Sequence, residues 1–134
     1  MPDYFKLTEK EKQKVKAIIK NILKKCPKIK TAIIFGSFVN RKYFHDIDIA
    51  IIGKLSVDEI LDIETKLSRA TGFEIEIRRF DELYLTFQFH VISGETLFSK
   101  NKEEFATLKS NTIRNYLDFQ PFKELNDKWL LGLK

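Results

Sequence analysis

Two aspartates one residue apart, Asp46 and Asp48, stand nine residues beyond a Gly36-Ser37 pair. An apolar run, Ala32-Ile33-Ile34-Phe35, leads into the glycine, and a second, Ile49-Ala50-Ile51-Ile52, follows the second aspartate. Short apolar runs of this kind read as buried strands. The Gly-Ser pair then sits at the exit of one strand, and Asp46-Ile47-Asp48 at the entrance to the next. Side chains alternate between faces along a strand, so Asp46 and Asp48 share a face while Ile47 turns to the core. Carboxylates held side by side repel, and keeping both ionised at a buried strand start takes a compensating charge. A divalent cation supplies it, and the arrangement suits phosphoryl-transfer chemistry.

A third acid is within reach. Residues 73–79, Phe-Glu-Ile-Glu-Ile-Arg-Arg, alternate strictly and predict a strand with Glu74 and Glu76 on one face. If that strand lies beside the aspartates, one glutamate joins them. Three carboxylates at one end of a sheet could hold two Mg²⁺ ions roughly 3.5–4 Å apart, with polyphosphate oxygens and waters filling the other positions. Gly36 allows backbone to approach a phosphate closely, N–H groups at the start of the following helix favour anions, and the Ser37 hydroxyl can bond a terminal phosphate oxygen. The bland alternative places both glutamates on a solvated strand face, paired with Arg78 or Arg79.

These residues need a scaffold, and the rest of the chain predicts one. At 134 residues, 43% hydrophobic and 32% charged, the sequence reads as one domain spanning 1–134, built round an ordinary core. No apolar run approaches the roughly 18 residues of a membrane span, and the N-terminus lacks a signal-peptide core. Cys26 is the single cysteine, so no internal disulfide forms and a cytoplasmic setting is expected. The net charge of +5 is uneven: residues 1–30 carry ten lysines and a balance of +7. Such a segment could face nucleic acid or an acidic partner, or present its lysines to solvent.

Thr8 and Glu11 form a capping box ahead of an amphipathic helix over 8–25, and Ser56 and Glu59 form another ahead of a helix ending near Gly72. Strands are expected over 29–35 and 47–52, and a further strand or strand pair over about 86–98, including His90. Residues 101–118 read as helix, broken by Pro121, with Phe122, Leu125 and Trp129 in a short terminal helix. C-terminal helices thus cover about 101–131. The fold class is α/β of the α+β type: a small mixed sheet with helices packed on one side.

The residues Phe35-Gly36-Ser37-Phe38-Val39 and Asp46-Ile47-Asp48-Ile49-Ala50-Ile51 resemble the signature of minimal nucleotidyltransferase domains of the DNA polymerase β superfamily. The segments Ile75-Glu76-Ile77, Phe89-His90-Val91 and Gly94-Glu95-Thr96-Leu97-Phe98 are similar to the antitoxin subgroup, a register that favours Glu76 over Glu74. The resemblance implies the nucleotidyltransferase fold and transfer of AMP from ATP to a hydroxyl with loss of pyrophosphate. It implies two Mg²⁺ ions on Asp46, Asp48 and Glu76, Glu76 assisting deprotonation of the acceptor, and Gly36 and Ser37 seating the β and γ phosphates. A HEPN-type ribonuclease toxin is the implied partner, neutralised by binding, by AMP addition to a tyrosine, or by both. Three departures stand out: Arg41 replaces a second glycine, the loop before Asp46 is about two residues short, and His45 replaces a serine. They leave as alternatives a binding-only antitoxin, or a nucleotidyltransferase acting on RNA ends or a small molecule.

Overall fold

The computed structural model describes residues 4–130, with side chains through residue 120. Its elements run α1 (Glu9–Lys24), β1 (Thr31–Phe35), α2 (Ser37–Asn40), β2 (Ile47–Ile52), α3 (Val57–Thr71), β3 (Ile75–Arg79), a 3-10 turn at Phe80–Glu82, α4 (Leu85–Ile92), β4 (Glu95–Ser99) and α5 (Lys102–Leu130). Both capping boxes form. The Thr8 hydroxyl accepts from the Glu11 N–H and the Glu11 carboxylate from the Thr8 N–H, and Ser56 and Glu59 repeat the exchange at the start of α3. Gly72 closes α3 in the left-handed conformation, at φ 79°.

The four strands lie in the order β3-β2-β1-β4. β1 is antiparallel to both β2 and β4, while β2 and β3 run parallel and are joined by α3. The sheet is therefore mixed, as the sequence predicts. Alternation along the strands divides the apolar side chains between two faces. Ala32, Ile34, Ile47, Ile49, Ile51, Ile75 and Ile77 meet Val15, Ile19 and Leu23 of α1 and Leu67 of α3 in the larger core. This is the expected helix layer. On the opposite face Ile33, Phe35 and Ala50 pack with Phe80, Val91 and Phe105 in a smaller core, so α4 and α5 add a second layer there.

Two expectations give way. Residues 85–92 form α4 rather than part of a strand pair, so His90 lies exposed on a helix, and only residues 95–99 join the sheet. Phe, Thr, Val and Ile favour strands only weakly against tertiary context. Here the segment sends apolar side chains in three directions, which a two-faced strand cannot do. Val91 turns into the smaller core, Phe87 meets Phe35 edge-on at 5.8 Å, and Phe89 stacks on Tyr116 of α5 at 3.9 Å. The second correction concerns Pro121. α5 continues through it to Leu130, in place of the two helices expected there. An interior proline removes one N–H bond and can be carried within a helix rather than ending it. The side chains of Phe122, Leu125 and Trp129 lie outside the described residues. Among the described residues no helix is long and apolar enough to cross a membrane.

Candidate active site

β2 and its two neighbours bring the sequence-predicted acids together. Asp46 is the last residue of the loop entering β2, and Asp48 the second residue of the strand. Across the antiparallel pair Asp48 lies opposite Phe35, and across the parallel pair opposite Glu76. Asp48 and Glu76 therefore stand abreast on the face of the smaller core, beyond the part that α4 and α5 cover. One carboxylate oxygen from each of Asp46, Asp48 and Glu76 falls within 4.8 Å of the others, and all three residues are half-buried. Glu74 is exposed and outside the group. Its contribution is a backbone carbonyl, which accepts the Ile47 N–H at 2.9 Å.

The cluster is short of positive charge. Burial, then the neighbouring charges of Asp46 and Glu76, push the Asp48 carboxyl up to about 6, against the opposing pull of Arg78. Arg78 lies two residues beyond Glu76 on the same face, and its Nη2 donates to Glu76 Oε1 at 2.6 Å. The alternative pairing read from the sequence is thus real, and it coexists with the acidic group rather than replacing it. All the donors in this group are carboxylate oxygens, a hard set that fits Mg²⁺, which takes one or two carboxylates and completes its octahedron with water and phosphate.

Gly36 stands directly against this group. Its φ of 83° belongs to the left-handed region, and a Cβ there would lie 2.7 Å from Asp48 Oδ2. Glycine is required twice over, by backbone conformation and by proximity. Ser37 then opens the single turn of α2, whose carbonyl at residue 36 accepts the Val39 and Asn40 N–H groups.

The loop from Arg41 to His45 is anchored on the other side of the sheet. Phe44 is fully buried in the larger core, contacts the Phe38 ring edge-on at 4.8 Å, and exchanges two backbone hydrogen bonds with Phe5. One residue escaped the sequence reading altogether. Lys12 of α1 is buried, and its Nζ donates to the carbonyls of Phe38 at 2.7 Å and Arg41 at 3.1 Å while lying over the Phe38 and Phe44 rings. It fastens the far end of α2. The signal was present in its spacing, since Lys12 falls on the same helical stripe as Val15, Ile19 and Leu23.

Known proteins share this fold. The chain superimposes on one from the Shewanella oneidensis complex of tri-AMPylated HEPN toxin with MNT antitoxin, with a TM-score of 0.73 and 19% identity, covering 90% of this chain and 98% of that one. A toxin–antitoxin structure with AMP-PNP gives a TM-score of 0.73 at 19% identity, covering 87% and 98%. The toxin–antitoxin complex MntA-HepT gives 0.67 at 16% identity, covering 92% and 99%. At such identities the likeness speaks for the fold. No curated protein matches the sequence. The family model described as polymerase beta, nucleotidyltransferase matches residues 17–103, a span that contains Gly36, Ser37, both aspartates and Glu76. This chain belongs to the polymerase β nucleotidyltransferase family.

Proposed function

We propose that this protein is a Mg²⁺-dependent nucleotidyltransferase that moves AMP from ATP to a hydroxyl of a HEPN-type ribonuclease toxin and so acts as its antitoxin. The observation that carries the reading is the convergence of Asp46, Asp48 and Glu76 beside the left-handed turn at Gly36. The choice of ATP and of a toxin rests on the structural relatives, among them a toxin–antitoxin structure with AMP-PNP and the complex of tri-AMPylated HEPN toxin with MNT antitoxin.

In this reaction the acceptor oxygen bonds to the α-phosphorus of ATP, the bond to the bridging oxygen breaks, and pyrophosphate leaves with the electron pair. Chemistry of this kind demands positioning and charge neutralisation more than covalent help from the protein. Asp46 and Asp48 would hold both of two Mg²⁺ ions, and Glu76 would complete one of the two sites. The bound ions would neutralise phosphate charge and ease ionisation of the acceptor hydroxyl. Glu76, the acid on the neighbouring strand, assists that deprotonation. Gly36 and Ser37 seat the β and γ phosphates: the glycine removes the side chain that would fill the approach, and the serine supplies a hydroxyl. Lys12 keeps this turn in place from behind.

The test is incubation with α-labelled ATP, Mg²⁺ and a purified HEPN partner. Label on the toxin, lost in Asp48→Asn, is the expected result. Stable neutralisation without label would instead make the chain an antitoxin that works by contact alone. Label on RNA ends or on a small molecule, with none on the toxin, would move the reading to a different acceptor.

A further inference from the structure

The edge of the sheet farthest from the acidic group carries the opposite charge. β4 is an edge strand, and a groove of about 590 Å³ runs beside it between the second half of α1 and the first turns of α5. Five lysines line it, from three different places: Lys20 and Lys24 on α1, Lys100 after β4, and Lys102 and Lys109 on α5. No acidic residue contributes to the lining. Of the acids on β4 and the first turn of α5, Glu95 pairs with Lys16 at 2.7 Å and Glu104 with Lys30 at 3.5 Å, while Glu103 is exposed. Among the described residues, none of the five groove lysines has a carboxylate within ion-pair distance.

We propose that this groove binds the phosphodiester backbone of a single-stranded nucleic acid. Charge complementarity requires a polyanion, and the composition of the groove decides which kind. Lysine is depleted at protein–protein interfaces, which depend on desolvated aromatic or arginine anchors. The groove offers no such anchor: Phe98 and Phe105 are buried, with Lys100 and Lys109 lying over their rings at 5.8 Å and 4.9 Å. Lys100 Nζ donates to the Cys26 carbonyl at 2.8 Å. The other ammonium groups, without exposed rings or forked donors beside them, contact phosphates and leave bases unread, so binding is independent of sequence. A positively charged groove that tracks one backbone is the electrostatic part of sequence-independent single-strand binding. The proposal does not depend on AMP transfer, and the two stand or fall separately.

The experiment is fluorescence anisotropy of the full chain with labelled oligouridylate, oligothymidylate and a duplex of equal length, across a salt series. Each neutralised phosphate contributes about −0.7 to the slope of log affinity against log salt for single strands, so three to five contacts give a slope of roughly −2 to −3.5. The triple variant Lys20→Gln/Lys24→Gln/Lys109→Gln should lower affinity about tenfold or more at low salt and flatten the slope by about 2. The variant Lys6→Gln/Lys10→Gln/Lys14→Gln has the same net charge and leaves the groove intact, and it should bind like the parent. Circular dichroism confirms that both variants fold. Equal weakening in the two variants, absence of binding at low salt, or preference for the duplex would each overturn the proposal. So would loss of toxin association in the groove variant with nucleic-acid binding unchanged.

Discussion

Asp48 is where the demands of stability and chemistry conflict most plainly. Its folded-state pKa of about 6 lies above the ordinary value of 3.8, so the folded chain binds this proton more tightly than the unfolded one. The ionised carboxylate therefore lowers stability above about pH 6, and the penalty fades as pH falls toward 4. Asp48→Asn should raise metal-free stability at pH 8 by about 1 kcal/mol, allowing for partial exposure, and the gain should vanish below about pH 4. Chemical denaturation at the two pH values checks this, alongside the expected loss of label transfer. Gly36→Ala should cost about 1–3 kcal/mol, because a side chain must adopt a left-handed backbone and displace the Asp48 carboxylate. A thermal melt measures that cost. The two aspartates were legible because a strand's two-residue period fixes which side chains share a face, and Gly36 because it stands where an apolar strand ends. The pairing of Glu76 with Arg78 was legible only as an alternative, since spacing says that the two residues share a face and not that an acid can serve two partners.

At the scale of elements, local signals were clearest where backbone groups at a helix end must be satisfied by nearby side chains. Both capping boxes and the glycine closing α3 formed as read. Glu59 illustrates the energetics: the Lys28 hydrogen bond first, then the Ser56 N–H, hold its carboxyl down to about 2 from 4.5. Its contribution is complete above about pH 4.5 and is lost as pH falls through about 2. The stability difference between the parent and Glu59→Gln should therefore be widest near neutrality and close in acid, as followed by denaturant titration. α4 was misread because its composition favours a strand while its packing requires three faces, and packing is invisible until α5 and β1 are in place. Lys12 was missed although its spacing put it on the apolar stripe of α1, because a lysine reads as solvated until the carbonyls it serves are in place. Lys12→Met keeps the bulk of the side chain but leaves the Phe38 and Arg41 carbonyls without their donor, at an expected cost of about 1–3 kcal/mol. If the turn at Gly36 seats phosphates, the KM for ATP should rise more than kcat falls, because the change loosens binding and leaves the carboxylates in place.

For the molecule as a whole, the sheet separates two electrostatic regimes, acids at β2 and β3 and lysines in the groove beside β4. A mixed sheet with a helix layer followed from alternating strands and helical spacing. The second layer did not, because it depends on α4 and on where α5 lies against the smaller core. Ligand linkage gives a global check: Mg²⁺ with a non-hydrolysable ATP analogue at 100 times its dissociation constant should stabilise the fold by about 2.7 kcal/mol, and Asp48→Asn should abolish the shift. The other exposed edge, β3, has its own guard. Glu64 of α3 accepts the outward N–H of Ile77 at 2.7 Å, taking the position that a neighbouring strand's carbonyl would occupy. A side chain of the crossover helix thus mimics an absent fifth strand, and its negative charge also opposes any incoming backbone carbonyl. Removing that carboxylate would unmask a template for intermolecular sheet growth, a hazard of solubility that the monomer's stability would not disclose.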